Sequence, residues 1–98
     1  MAAIRWTLQA ADDLEAIAEY IAADSEQYAH LLVTDVLAAI DRAALFPSAG
    51  RIVPETNTPN IREILLGNYR IIYRIKEKVI EILTIYHSAR LLDVTRLQ

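Results

Sequence analysis

The stretch 61–90, IREILLGNYRIIYRIKEKVIEILTIYHSAR, alternates side chains with period two on both sides of Glu77-Lys78, as adjacent β-strands do. With those two residues as a hairpin loop, Ile75 faces Ile80, Tyr73 faces Ile82, Ile71 faces Thr84 and Tyr69 faces Tyr86. That face is apolar and has to be buried. The opposite face pairs Arg74 with Glu81, Ile72 with Leu83, Arg70 with Ile85 and Asn68 with His87, so two arginines and a histidine share one surface. Everything inferred about this surface depends on register, because a slip of one residue sends every side chain to the other face.

The elements around the ribbon follow from shorter signals. Ile4 to Leu8 fits a first strand with Trp6 turned inward and Thr7 capping the next helix. From about Gln9 to Ala23, Ala11, Leu14, Ala18 and Ile21 recur at helical spacing with Ile17 beside them, while Asp12, Asp13, Glu15 and Glu19 take the other side. Asp24 and Ser25 can cap a second helix whose stripe is Tyr28, Leu32, Val36, Ala39, Ile40 and Ala43. It ends near Phe46, where Pro47 stops it. So short a connection predicts an antiparallel helical hairpin. Residues 47–60 hold all three prolines and read as a surface loop; Ile61 to Leu66 starts the sheet, and LLDVTRLQ at the end is one helical turn or an added edge strand.

This order predicts a single α+β domain over residues 1–98: an N-terminal strand, then an antiparallel helical hairpin packed on one face of a small antiparallel β-sheet, the opposite face being left open. Hydrophobic residues make up 54% of the chain, enough to suggest a partner covering apolar surface, although alanine richness in the first half accounts for the figure equally well.

The net charge of −3 argues against a plain nucleic-acid coat protein, but it is unevenly spread. Residues 1–50 carry two arginines against eight acids, and residues 51–98 carry eight basic residues against five acids. A phosphate-bearing or acidic partner would therefore meet the second half. The chain has no cysteine, so there is no disulfide framework, thiolate metal site or cysteine nucleophile. Neither a signal peptide nor a run of roughly 20 apolar residues is present, and a cytoplasmic protein with no membrane contact is expected.

The ionisable side chains suited to chemistry are Arg70, Arg74, His87 and Arg90, with Arg51 and Arg62 near them in sequence and Glu55 and Glu63 as carboxylates. RNA cleavage through the 2′-hydroxyl needs a base, a cation for the phosphorane charge and an acid for the leaving oxygen. His87 and an acidic residue could carry protons, and Arg70 and Arg90 could supply the charge. The competing reading pairs the arginines with Glu81 and Glu63 and leaves His87 hydrogen-bonded at a strand end. His30 reads as a surface or half-buried helix residue, and Tyr69, Tyr73 and Tyr86 read as packing. No metal-ligand spacing or phosphate loop is present, and no cofactor is expected.

Four segments, WTLQAADDLEAIAEYI, LFPSAGR, IREILLGNYRIIYRI and IEILTIYHSAR, together resemble the RelE/ParE superfamily of type II toxin-antitoxin toxins over nearly the whole chain, most specifically in YRIIYRI and HSAR. The resemblance implies a cytoplasmic toxin restrained by a cognate antitoxin. The superfamily divides into ribosome-dependent mRNA interferases, acting on ribosome and mRNA, and ParE-like poisons of DNA gyrase.

Residue by residue, Arg70 matches the interferase arginine after the strand tyrosine and Arg90 the arginine closing the last strand. His87 matches the histidine of the YoeB-like branch, and Glu55 that branch's acidic residue. Arg51, Arg62 and Arg74 are then substrate- or partner-binding cations. Against an interferase stand the absence of a lysine-rich stretch before the YR strand, of a tyrosine in LLDVTRLQ and of a strongly basic net charge. The convergence of His87 and Arg70 leans slightly toward mRNA cleavage; a gyrase poison without nuclease activity and an inactive orphan binding domain are the alternatives. An antitoxin is expected to cover the Arg70, His87 and Arg90 surface with an acidic segment.

Overall fold

A computed structural model describes residues 1–89, 92 and 94–97. The chain runs β1 (Ala3–Trp6), α1 (Leu8–Ala22), α2 (Glu26–Leu45), β2 (Arg51–Ile52), β3 (Ile61–Leu66), β4 (Tyr69–Lys76) and β5 (Val79–His87), with short 3-10 turns at Pro47–Ala49 and Val94–Leu97. The strands form one sheet in the order β1-β5-β4-β3-β2. The expected α+β arrangement is present. The sheet is mixed because β1 joins β5 in parallel, Ala3 beside Val79 and Trp6 beside Ile82, while the other strands pair antiparallel.

Local chemistry fixes the helix ends. Thr7 caps α1, its hydroxyl oxygen accepting from the Ala10 amide at 3.1 Å and donating to the Ile82 carbonyl at 2.7 Å, so one side chain starts the helix and ties it to β5. Ser25 caps α2 by accepting from the Tyr28 amide at 3.2 Å. The sheet-facing side of α2 is Val36, Ala39, Ile40, Ala43 and Ala44, packed with Ala10 of α1 on Ile71, Tyr73, Ile80, Ile82 and Ile85. Full burial of each larger side chain contributes about 1.5–3 kcal/mol. Tyr28, assigned to this stripe from its spacing, lies instead at the solvent-facing start of α2.

Each of the two hairpin turns uses a residue with positive φ. Gly67 (φ 57°) sits in the Gly67-Asn68 turn between β3 and β4, where a side chain would be strained. Glu77 (φ 57°) takes that conformation in the Glu77-Lys78 turn between Lys76 and Val79 without being a glycine.

Two expectations about the sheet are overturned. Up to Tyr73 the hairpin has the expected register, Ile75 opposite Ile80, Arg74 opposite Glu81 and Tyr73 opposite Ile82. A β-bulge then shifts the pairing to Ile72 with Thr84, Ile71 with Ile85, Arg70 with Tyr86 and Tyr69 with His87. The cause lies on α1: Asp13 accepts from the Thr84 hydroxyl and, at 3.2 Å, from the Ile85 amide, so a helix carboxylate holds the irregular segment of β5. Beyond the bulge, Ile85 turns to the helices and Tyr86 to the opposite face.

That opposite face is closed rather than open. Val53, Ile61, Ile72, Leu83, Tyr86 and Leu97 form a second buried cluster, built from the 53–60 loop on one side and the C-terminal turn on the other. Val94–Leu97 form one turn of helix, and Leu97 closes the second cluster.

Candidate functional site

Arg70 projects from β4 onto the second face between Leu65 of β3 and Tyr86 of β5. Its guanidinium lies over the Tyr86 ring, 5.3 Å from the centroid. Nε donates to Glu63 at 2.6 Å, while the two terminal nitrogens donate to the two carboxylate oxygens of Glu55 at 2.7 and 2.8 Å. Such fork-to-fork pairing is the strongest neutralisation a carboxylate can give an arginine. Glu63, in turn, accepts from Nε of Arg51 at 2.6 Å across the β2–β3 ladder. Glu55, Arg70, Glu63 and Arg51 therefore form a line of alternating charge with no net charge.

Burial makes this line rigid. Arg70 is 7% exposed and Glu63 2%, so an incomplete set of partners would leave a desolvated charge. The fork from Arg70 pulls the Glu55 carboxyl well below its usual range, to about 2, and the two carboxylates hold the Arg70 guanidinium charged at any accessible pH. Burial pushes the Tyr86 phenol up, and its hydroxyl has no hydrogen-bond partner among the described residues.

Because the folded-state pKa of Glu55 is depressed, the folded protein binds fewer protons than the unfolded chain between the ordinary value of 4.5 and about 2. The Glu55 contribution is complete above that window and is lost as pH falls through it. Acid titration of the urea midpoint should show this loss, and Glu55→Gln should flatten the slope between pH 4.5 and 2; an unchanged slope would place the acid-sensitive group elsewhere.

The remaining predicted site residues are dispersed. His87 lies beside Tyr69, ring centroids 5.5 Å apart and nearly perpendicular, and its Nδ1 accepts from the Ala89 amide at 3.1 Å. It is a neighbour in sequence of Tyr86, the residue opposite Arg70, and so points to the other face. Arg62 is a structural clamp: Nε donates to the Pro59 carbonyl at 2.7 Å, and one terminal nitrogen donates to the Ser48 and Gly50 carbonyls, each at 3.0 Å. Arg74 donates to Glu81 at 3.2 Å and to the Leu97 carbonyl. Arg90 lies outside the described residues.

The structure thus joins Arg70, Glu55 and Arg51, separates His87 from them, and uses Arg62 and Arg74 to hold loops. The expected meeting of Arg70 and His87 fails because of the bulge; of the three residues expected beneath an antitoxin, Arg70 is buried, His87 lies on the other face and Arg90 is outside the described residues. Glu63, from the sequence only one of two candidate carboxylates, is the centre of the cluster; the sole signal for that was its place on a strand between two arginine-bearing neighbours. With each Arg70 nitrogen engaged, phosphate could reach it only by displacing Glu55, and no imidazole stands by to move a proton. Among the described residues no group of three histidines or carboxylates is arranged to hold a metal. No helix there is long and apolar enough to cross a membrane.

The N-terminal strand, helical hairpin and five-stranded mixed sheet match the architecture of RelE/ParE-type toxin structures. The chain overlays the chromosomal ParDE toxin-antitoxin structure from P. aeruginosa with a TM-score of 0.73 and 28% identity, over 89% of this chain and 96% of that one. It overlays the RelBE2 toxin-antitoxin complex of Mycobacterium tuberculosis with a TM-score of 0.59 over 88% and 96%, a likeness of fold alone at 19% identity.

In sequence, the chain is 38% identical over 87 residues to the putative toxin Y4kP of Sinorhizobium fredii, covering 87% of this chain and 86% of that protein. It is 34% identical over 92 residues to toxin RelE2 of Caulobacter vibrioides, covering 93% and 100%. Residues 4–92 match the family described as "ParE toxin of type II toxin-antitoxin system, parDE", and the chain belongs to that family of type II toxins.

Proposed function

We propose that this protein arrests growth in the cytoplasm as a ParE-like poison of DNA gyrase, acting by binding rather than by cutting RNA, and that a cognate antitoxin neutralises it. The observation that carries this reading is the sealing of Arg70 between Glu55 and Glu63 with His87 on the opposite face, which removes both charge stabilisation and proton transfer from any common substrate position. The family match over residues 4–92 and the likeness to a ParDE structure support the same branch. A net charge of −3 also suits a protein target better than the ribosome.

The test is primer extension on translated mRNA from cells in which the toxin is induced, beside a plasmid supercoiling assay of the purified toxin with gyrase. Linearised plasmid with intact message is expected, with His87→Ala as active as the wild type. Codon-phased cuts that vanish in His87→Ala would overturn the binding reading in favour of an interferase. Coexpression of the gene adjoining the toxin gene should restore growth.

A further inference from the structure

Two hollows of about 310 Å³ each meet along the flank of the helical hairpin, sharing Ala18 of α1 and Val33 of α2. The first lies between Ala18 and Ala22 on one side and Ala29 and His30 on the other. The second continues past Ala11 and Leu14 and ends against Trp6 of β1. Together they make one groove between the helices, and each hollow reaches the size of a small binding cleft.

The groove has a local cause. Positions 11, 18, 22 and 29 are alanine, so no long side chain reaches across where the helices face each other, and the half-buried Leu14 and Val33 leave apolar surface in the gap. Leu37, one helical turn beyond Val33 on the same side of α2, is 45% exposed and prolongs that surface.

Charge narrows the occupant. Glu15 and Glu19 line the groove from α1, both exposed, and neither makes an ion pair among the described residues. The lining holds no lysine or arginine. Residues 8–45 carry eight acids against Arg42 alone, so like charges repel one another along both helices. A basic surface laid against the groove relieves that repulsion. DNA is excluded by its own charge, and a second copy of the chain would bring another acidic hairpin. An enzyme that grips DNA, by contrast, neutralises phosphates with lysine and arginine and offers the complementary charge.

We propose that the α1–α2 groove is the surface by which this toxin docks on gyrase. It receives a lysine- or arginine-bearing segment whose cations meet Glu15 and Glu19 and whose apolar side chain enters between Ala18 and Val33. The inference rests on the gyrase reading above and gives that reading a contact surface.

The experiment titrates purified toxin into gyrase and plasmid at two salt concentrations and reads the toxin concentration that gives half-maximal linearised plasmid. The exposed pair Glu15→Lys with Glu19→Lys should raise that concentration by about 10-fold or more at low salt and by less at high salt. Leu37→Ala should raise it by about 5-fold at both. Asp24→Lys with Asp35→Lys makes the same change of net charge at exposed positions outside the groove lining, and should shift it by no more than about twofold. Melting temperatures near that of the wild type show that each variant is folded. An unchanged concentration in the groove variants, or an equal rise in both charge-reversed pairs, would overturn the groove as the docking site while leaving the gyrase reading intact. Absence of linearised plasmid with the wild type would overturn that reading itself.

Discussion

Arg70→Ala should destabilise the protein by about 3–5 kcal/mol, because it leaves Glu63 buried with only Arg51 to neutralise it and empties the space over the Tyr86 ring. Urea denaturation followed by circular dichroism measures the loss directly as a lower midpoint at unchanged slope. The partner substitution separates a structural role from a catalytic one. Replacing Glu55, Arg70 and Glu63 together by Leu, Met and Leu removes every buried charge of the line at once, and most of the lost stability should return. Growth arrest should follow stability in both variants. If Arg70→Ala instead leaves the midpoint unmoved and abolishes toxicity, the guanidinium acts on a substrate, and the sealed cluster is not what limits it.

Tyr73→Ala should cost about 3–5 kcal/mol, the range for deleting a fully buried aromatic ring. Tyr73→Phe should cost only about 1–2 kcal/mol, since it removes one hydrogen bond, the hydroxyl donating to the Pro47 carbonyl at 2.6 Å, and leaves the packing intact. The two variants differ in where the damage goes. Tyr73→Ala empties the core between α2 and the sheet, whereas Tyr73→Phe frees the turn that ends α2 and carries Gly50. A Cβ at Gly50 would lie 2.2 Å from the Tyr73 hydroxyl, so the turn and the ring are fitted to one another. Tyr73→Phe should therefore speed amide exchange in the Pro47–Gly50 turn out of proportion to its small effect on melting. Unchanged exchange in that turn would show that it does not depend on the Tyr73 hydroxyl.

The predicted convergence of Arg70 and His87 shows where reading by alternation stops. Period two is a local rule, and from Tyr73 to Lys76 and Val79 to Ile82 it gives the observed pairing because nothing interrupts the ladder. The interruption comes from Asp13, 71 residues away from Thr84, which on the sequence is one of four acids on the polar side of a helix. No local pattern distinguishes an acid that faces water from one that holds a strand. The same holds for Glu63: the sequence shows a glutamate on a strand, but its two arginine partners come from β2 and β4 and meet it only in the folded sheet.

The caps at Thr7 and Ser25, the Pro47 stop, the glycine turn at Gly67 and the alternation of the last strands were determined by the sequence alone, since each depends on contacts within a few residues. Together they suffice for the elements and their order. Which face Arg70, Tyr86 and His87 occupy, and whether the arginine is free or neutralised, were decided only by tertiary structure. Those outcomes depend on long-range contacts, the bulge held from α1 and the loop and C-terminal turn that close the second face. Their energies come from burial and charge pairing between segments that are distant in the chain.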